Sequence, residues 1–287
     1  MPRFFTKFRI CELFGIPLYV DMSFAFILLM FLFSGGSLEL GLAAALLLAI
    51  SVVLHELGHS LTARAFGYAT RDITISLLGG CAALIALPRK ASQEFLTAIA
   101  GPAVSFALFF IGAFLLWLLS YAGGYGDALL TVLANTFSIF PDGDLYFEKG
   151  TSYFLINSVY FLSSMNLMLG LFNLLPGFPM DGGRVFRSFM CAFLPRARAT
   201  YIAMIVGRVF AVLLGLNGLN AIVTGGSWGF IRILIAIMIW QEGRREYLLS
   251  QYESPWGGGG PGVWRARVSP PPYGGEGDES DITKNRD

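Results

Sequence analysis

Long apolar runs separated by short charged segments are the feature that most constrains this chain. A helix needs about 20 mainly apolar residues to cross the hydrocarbon core of a bilayer. Charged residues make up 14% of the sequence, whereas soluble domains carry about 25%. The sequence therefore predicts an all-α polytopic membrane protein with about six transmembrane helices, the last two forming a helical hairpin. The candidate spans are residues 18–33, 40–65, 95–120, 153–175, 201–223 and 230–240.

The basic residues of the short loops indicate an orientation, because Lys and Arg are retained on the cytoplasmic side of a membrane. With the N-terminus inside, Lys149 is the one basic residue that falls in an outer loop. We therefore expect both termini to be cytoplasmic. The same charge pattern is typical of a multi-pass protein of a bacterial inner membrane.

Composition divides the chain into three parts. Residues 1–16, which include Lys7 and Arg9, are expected to form a basic amphipathic lead. Residues 17–247 form the six-span domain. Residues 248–287 are so rich in Gly, Pro and charged residues that we expect a disordered cytoplasmic tail.

Two segments of the domain lie outside the spans. Residues 71–87 carry β-branched and small side chains around two glycines, which predicts a short membrane-associated β hairpin or strand after the second span. Residues 121–151 form an outer loop, in which residues 129–137 favour a short amphipathic helix.

The chain contains two histidines, and they lie four residues apart in the segment His55-Glu56-Leu57-Gly58-His59. Positions four apart share one helix face, so both imidazoles can reach one metal ion with Glu56 beside them. Ionisable side chains inside a span are costly unless they are paired, bound to a metal or facing a wet cavity. Two imidazoles and a carboxylate suit zinc best, although iron or cobalt fits the same ligands. The spacing disfavours the alternative that these residues only pack among helices.

A catalytic zinc ion usually takes three protein ligands and keeps one position for water, so a third ligand is needed. Asp181 is the best candidate, because it is the only acidic residue between Lys149 and Glu242. Prolines and glycines around Asp181 interrupt the fourth span, and irregular backbone at membrane depth is tolerated where it lines a cavity. The alternative is an interfacial turn in which Asp181 caps a helix that starts near Gly182.

Four segments together resemble the site-2 protease family of intramembrane metalloproteases. Two are long motifs, His-Glu-Leu-Gly-His at 55–59 and Asn-Leu-Leu-Pro-Gly-Phe-Pro-Met-Asp-Gly-Gly-Arg at 173–184. Two are short, Leu-Gly-Gly at 78–80 and Ala-Gly-Pro-Ala at 100–103. With no PDZ insertion and no room for paired CBS domains, the chain looks most like the compact bacterial branch that includes the sporulation-factor processing protease.

The resemblance implies a role for the residues of each motif. It implies that His55, His59 and Asp181 hold one zinc ion and that Glu56 is the catalytic acid/base. It also implies that Asn173 contacts the substrate or the transition state, with an interhelical polar contact as the alternative.

Further substrate contacts are expected at the strand-like segment, around Gly79 and Gly80, and at Pro179. An unwound substrate could add to the edge of that segment as another strand. Arg184 and Arg187 are expected to anchor to lipid phosphates, with a contact to the cytoplasmic side of the substrate as the alternative.

One motif departs from the family pattern. Members often carry Asn after Gly-Pro-Ala, where this chain reads Val104-Ser105. We expect this departure to leave the zinc site untouched.

The sequence therefore predicts an intramembrane zinc metalloendopeptidase of regulated intramembrane proteolysis, whose partners are a transmembrane protein substrate and membrane lipids. One alternative is a membrane metal transporter or channel, which would need polar residues along several spans. A second is a catalytically inactive homologue that binds membrane proteins, which would not need Glu56. No basic stripe indicates nucleic acid. A homo-oligomer or a regulatory membrane partner remains open.

Overall fold

The structure is a computed structural model that describes residues 7–32, 38–76, 79–85, 88, 90–123, 153–225 and 229–252. Within these ranges the chain forms four strands and seven helices. The strands are β1 (Lys7–Leu13), β2 (Ile16–Asp21), β3 (Thr70–Ser76) and β4 (Gly79–Leu84). The helices are α1 (Phe24–Leu32), α2 (Leu38–Ala65), α3 (Ala91–Gly123), α4 (Tyr153–Asn173), α5 (Asp181–Met190), α6 (Arg196–Val223) and α7 (Gly229–Tyr252).

Two predicted features lie wholly or mainly outside the described residues. The helix expected at 129–137 is one of them. The other is the tail, of which only residues 248–252 are described, as the last turn of α7.

Four helices are long and apolar enough to cross a membrane, counting only the ranges given above. They are α2, α3, α4 and α6, and they coincide with the second to fifth predicted spans. The prediction of a mostly helical chain with several membrane-spanning segments is therefore confirmed.

The predicted sixth span, residues 230–240, lies within α7, which is not one of these four helices. The second half of α7 carries charged residues from Glu242 onward, which lowers the mean hydropathy of this helix. The α6–α7 hairpin itself is present, and a Cβ atom on Gly229 would lie 2.6 Å from the Gly218 carbonyl oxygen. A total of six transmembrane helices remains a prediction.

The predicted first span was wrong over its N-terminal part, because residues 16–21 form strand β2. Main-chain pairing with β3 and burial of Ile16 and Leu18 favour a strand there. The Asp21 carboxylate then accepts a hydrogen bond from the Ser23 amide at 2.8 Å, just before α1 begins. As described, α1 has nine residues and rises about 14 Å, which is half the thickness of the hydrocarbon core.

The four strands form one sheet in the order β1-β2-β3-β4. The β1–β2 and β3–β4 pairs are antiparallel, and β2 runs parallel to β3. The predicted hairpin after the second span is confirmed as β3–β4, but its pairing with two N-terminal strands was not expected. Lys7 and Arg9 lie on edge strand β1, and the boundary expected after residue 16 falls inside β2.

The sheet packs against α2 through a compact apolar cluster. Its buried members are Ile16, Leu18, Val52, Val53, Leu57, Ile73 and Ile75. Residues 52, 53 and 57 surround Glu56 along α2, so this packing brings the sheet next to the His55–His59 segment. Polar contacts then join α2 to α4, where the Asn166 amide donates to Ser51 Oγ at 2.8 Å.

Small residues allow the loop before α5 to approach α6 closely. A Cβ atom on Gly177 would lie 2.4 Å from the Cα atom of Gly207. The Phe178 ring that follows is 1% exposed. The glycine pair therefore determines how closely the segment leading to Asp181 packs on α6.

We expect Gly177→Ala to destabilise the protein, because neither backbone at this crossing can move away from a methyl group without repacking. Overpacking of this kind costs about 1–3 kcal/mol. The measurement is the temperature of half-unfolding in detergent. Gly215→Ala is the control, since its Cβ atom would meet only Ala236 Cβ at 3.7 Å. Equal stability of the two variants would contradict the close packing.

Candidate metal centre

Helix α2 directs both histidines to one buried point. His55 and His59 are 3% and 8% exposed, and their Nε2 atoms lie 3.2 Å apart. The rings are one helical turn apart and nearly perpendicular, at 78°. The structure thus brings together the two side chains that the four-residue spacing placed on one face.

Helix α3 orients both imidazoles through their other nitrogen. His59 Nδ1 donates to the Thr97 carbonyl at 2.7 Å. His55 Nδ1 lies 2.9 Å from Ser105 Oγ, and Ser105 is fully buried. The Thr97 carbonyl can only accept, so Nδ1 of His59 carries a proton and Nε2 is the nitrogen that faces the centre.

The contact of Ser105 with His55 overturns one expectation. The Val104-Ser105 segment was expected to leave the zinc site untouched, but Ser105 Oγ is a direct partner of a ligand candidate. The physical reason is that Ser105 lies one turn beyond Gly101 on α3, on the side that faces α2. A hydroxyl at this position can accept a hydrogen bond from the Nδ1–H group and so direct Nε2 toward the centre.

Helix α5 supplies the carboxylate. Asp181 is the first residue of α5, and its Oδ2 atom lies 3.1 Å from Nε2 of His55 and 3.1 Å from Nε2 of His59. The residue before the helix is Met180, with no side-chain cap. The Asp181 carboxylate therefore faces the histidines, in contrast to the alternative in which it serves as a helix cap.

The donor set fits a zinc ion. A tetrahedral zinc with N and O ligands at about 2.0–2.1 Å places neighbouring ligand atoms about 3.3 Å apart. The three atoms here are 3.1–3.2 Å apart, and the three residues form a group able to hold a metal ion. Lone pairs that converge so closely repel one another, and a shared proton or a bound cation relieves that repulsion.

Gly101 leaves the space that these ligand atoms occupy. A Cβ atom at this position would lie 2.2 Å from His59 Nε2 and 2.7 Å from His55 Nε2. Any larger residue would therefore place carbon atoms where the three donors converge. This lack of space explains why α3 carries a glycine at position 101, next to Pro102.

Glu56 lies between the histidines on α2 and contacts the sheet. Its Oε2 atom accepts a hydrogen bond from the Ala82 amide of β4 at 2.9 Å, and the residue is 9% exposed. A Cβ atom on Gly80 would lie 2.4 Å from Glu56 Cγ. Strand β4 thus holds one carboxylate oxygen of Glu56 and needs a glycine to approach it.

The remaining predicted site residues are Asn173, Pro179 and Gly79. Asn173 ends α4, and its amide donates to the Leu169 carbonyl of the same helix at 3.0 Å. Pro179 is exposed and follows Phe178 through a cis peptide bond. Gly79 begins β4 and pairs with Ser76. The structure places none of these three in a hydrogen bond with the histidines or Asp181 among the contacts of the described residues.

The expectation that Arg187 anchors to lipid was wrong. Its side chain is 2% exposed and is paired with Glu94 and Glu246, so it cannot reach a lipid phosphate. Burial raises the pKa of Glu246, but the neighbouring Arg184 and Arg187 lower it by more, so Glu246 is ionised. For Arg184, which is half-buried, lipid anchoring stays a prediction.

Sequence reasoning missed several residues that support the centre. Ser105 and the Thr97 carbonyl orient the histidines, and Gly101 leaves room for their Nε2 atoms. The sequence carries no signal for the Thr97 contact, since any residue has a carbonyl group. Gly101 lies in the Ala-Gly-Pro-Ala segment that resembles the family, and Ser105 lies two residues after it. The available signal was their spacing of four, which places both residues on one face of α3.

Comparison with known proteins agrees with this geometry. Residues 43–214, which include all three ligand candidates and Glu56, match the profile of Peptidase family M50. The chain belongs to peptidase family M50. The resemblance to the site-2 protease family is thereby confirmed, as is a mostly helical membrane protease fold.

Two curated relatives are named as zinc metalloproteases. The chain is 36% identical to one from Synechocystis sp. over 241 residues, covering 78% of this chain and 56% of the relative. It is 32% identical to one from Methanocaldococcus jannaschii over 251 residues, covering 86% of this chain and 62% of the relative. The chain thus spans somewhat more than half the length of these curated relatives.

A solved structure has a similar fold. The site-2 protease from Methanocaldococcus jannaschii superposes with a TM-score of 0.56 at 28% sequence identity. The match covers 84% of this chain and 95% of the solved chain. The arrangement of helices and sheet described above is therefore of the site-2 protease type.

We expect Gly101→Ala to abolish metal binding, because its methyl group would occupy the point where the two Nε2 atoms converge. Zinc content of the purified protein, determined by elemental analysis, is the measurement. Ala107→Val is the control, since it adds carbon to an exposed position of the same helix. Full zinc content in Gly101→Ala would show that the metal lies elsewhere.

Proposed function

We propose that this M50 protein is an intramembrane zinc endopeptidase that hydrolyses peptide bonds within or near transmembrane segments of other membrane proteins. The observation that carries the proposal is the placement of Glu56 on α2, between two histidines whose Nε2 atoms meet the Asp181 carboxylate. A structural metal site would not need a second carboxylate beside the ligands. The names of the two curated relatives and the solved site-2 protease favour the same reaction.

His55, His59 and Asp181 would hold a single zinc ion. The chemistry that a bound zinc ion supplies is the activation of water near neutral pH and the polarisation of a carbonyl group. The two imidazoles contribute neutral donors whose direction is set by Thr97 and Ser105. Asp181 contributes one negative charge, which leaves the ion a net positive charge for its reaction partners.

Glu56 serves as the general base and then as the general acid. Its Oε2 atom is held by the Ala82 amide, so the carboxylate is fixed in direction, and Oε1 is the oxygen proposed to take the proton. It accepts a proton from the attacking water and returns it to the leaving amine. Fixing a carboxylate in this way reduces the reorganisation needed at the moment of reaction.

Asn173 is proposed to bind the substrate backbone or the oxyanion. Its amide carries two N–H donors, of which one is directed to the Leu169 carbonyl. The second can donate to a substrate carbonyl without breaking the first. Pro179, which is exposed two residues before Asp181, is proposed to contact the same substrate.

The substrate is proposed to add as a strand to the outer edge of β4. Successive residues of a strand direct their amides to opposite edges. Since the Ala82 amide points away from β3 toward Glu56, Gly80 and Leu84 share that outer edge. A substrate paired there would lie beside Glu56, and pairing requires the substrate helix to unwind locally, which small or helix-breaking residues favour.

The protein is proposed to lie in a bacterial inner membrane with both termini in the cytoplasm, on the evidence of the loop charges. Lipid would contact the outward apolar side chains of α3 and α6. Phe110, Phe114, Val212 and Leu213 are 49–65% exposed, and exposure of such side chains is favourable only in an apolar solvent.

We expect Glu56→Gln to lose cleavage by at least about 100-fold while it retains zinc, because an amide cannot accept the proton of the attacking water. The glutamine side-chain oxygen can still accept a hydrogen bond from the Ala82 amide, so the fold is preserved.

The measurement is cleavage of a co-reconstituted single-span substrate, together with zinc content. Glu39→Gln, at an exposed position of the same helix, is the control and should cleave normally. Wild-type cleavage by Glu56→Gln would refute the hydrolytic role, and metal flux without cleavage would favour a transporter.

We expect Leu84→Pro to slow cleavage about 3- to 10-fold, the effect of losing one backbone hydrogen bond. Proline removes the outward amide but leaves the β3–β4 ladder intact, because the Ala83 and Ile85 amides face β3. Leu84→Ala is the matched control, since it removes the side chain and keeps the amide. Gly80→Pro is unsuitable, because its Cβ atom would strike Glu56. If both Leu84 variants cleave at the same rate, strand addition at this edge is wrong.

A further inference from the structure

A network of four charged residues, two of them fully buried and two partly buried, joins four helices. Arg187 of α5 donates to Glu94 of α3 through Nε at 2.9 Å and through a second guanidinium nitrogen. It also donates to Glu246 of α7 at 3.0 Å. Arg196, at the start of α6, pairs with the other Glu94 oxygen at 3.1 Å. The network has two positive and two negative charges.

The burial of these charges is not explained by a gain in folding stability. The side chains of Arg187 and Glu94 are 2% and 6% exposed. A buried ion pair often contributes no more stability than apolar residues of the same volume, because the desolvation of both charges offsets their attraction. What the pair does provide is direction, since two N–H groups of the planar guanidinium converge on one Glu94 oxygen, Oε1.

The Glu94–Arg187 pair connects the two helices whose relative position determines the geometry of the centre. Asp181 and Arg187 lie on the same ten-residue helix, α5. Glu94 lies three residues before Thr97 on α3, and the Thr97 carbonyl orients His59. The ion pair therefore ties the helix that carries the carboxylate ligand to the turn that orients a histidine ligand.

Arg187 also contacts the segment on the other side of Asp181. Its guanidinium carbon lies 5.0 Å from the centroid of the Phe178 ring, which is almost completely buried. Phe178 is three residues before Asp181 and Arg187 is six residues after it. One side chain thus restrains the chain both before and after the carboxylate ligand.

We propose that Arg187, held by Glu94, is a positioning residue that sets the Asp181 carboxylate against His55 and His59. The proposal rests on the zinc site of the proposed function. Arg187 does not touch the ligand atoms and acts through α5 and the Phe178 segment. Breaking the pair lets α5 shift relative to α3, so that Asp181 no longer meets both Nε2 atoms at once.

The test measures zinc affinity of the full-length protein in detergent by competition with a chromophoric chelator. Arg187→Met keeps the unbranched stem and removes the fork, and Glu94 retains Arg196 as a partner. We expect Arg187→Met and Glu94→Gln to bind zinc about 10-fold more weakly, the low end of the loss for a direct partner of a metal ligand, because the pair acts on the ligands through α5 and α3. Arg187→Lys, which keeps the charge, should recover part of the loss. Arg245→Met is the matched control, because its ion pair with Glu242 is exposed, and its affinity should stay within about two-fold of wild type.

The outcomes separate this proposal from the proposed function. If Arg187→Met and Glu94→Gln bind zinc as tightly as wild type and only the metal-free protein unfolds more easily, the pair is structural and the positioning role is wrong. If Arg187→Met does not fold, Glu94→Gln and Arg187→Lys decide by the same affinity measurement. A wild-type protein that binds no zinc would instead refute the proposed function itself.

Discussion

The structure depends on the convergence of two imidazole nitrogens and one carboxylate oxygen within 3.1–3.2 Å of one another, inside a bundle of apolar helices. Groups of this kind are costly to bury unless each has a partner. The hydrogen bonds around the two histidines give their nitrogens such partners. The Thr97 carbonyl and Ser105 Oγ satisfy the outer nitrogens, and the third partner comes from α5, more than 120 residues further along the chain.

Close packing of backbones makes this convergence possible. Gly58 lets α2 approach α3 near Ala100, where a Cβ atom would lie 2.8 Å from the Ala100 carbonyl oxygen. Gly101 keeps the centre clear, and the Gly177–Gly207 crossing seats the segment before Asp181 on α6. Small residues at helix crossings are the usual means by which helices pack in a membrane, where the hydrophobic effect does not drive them together. In this M50 chain the same packing also sets the geometry of the donors.

The sheet links the centre to the surface on which a substrate is proposed to bind. Its apolar face packs on Val52, Val53 and Leu57 of α2, so the sheet is held in register with Glu56 on that helix. Edge strand β4 then reaches Glu56 through the Ala82 amide. A residue proposed to move protons and an edge proposed to pair with a substrate are therefore parts of one packed unit.

Much of this was readable from the chain alone, because the signals are local. The shared face of His55 and His59 follows from the helical period, four of the predicted spans follow from apolar length, and Asp181 stood out because acidic residues are absent around it. Apolar length could not separate one long helix from strand β2 followed by α1, since the pairing of β2 with β3 joins residues far apart in sequence. The contact of Ser105 with His55 and the burial of Arg187 between Glu94 and Glu246 likewise depend on which helices meet. Residue type and spacing determine which groups the chain carries and which share a face, whereas their partners across helices are decided by long-range packing, which leaves no periodic trace in the sequence.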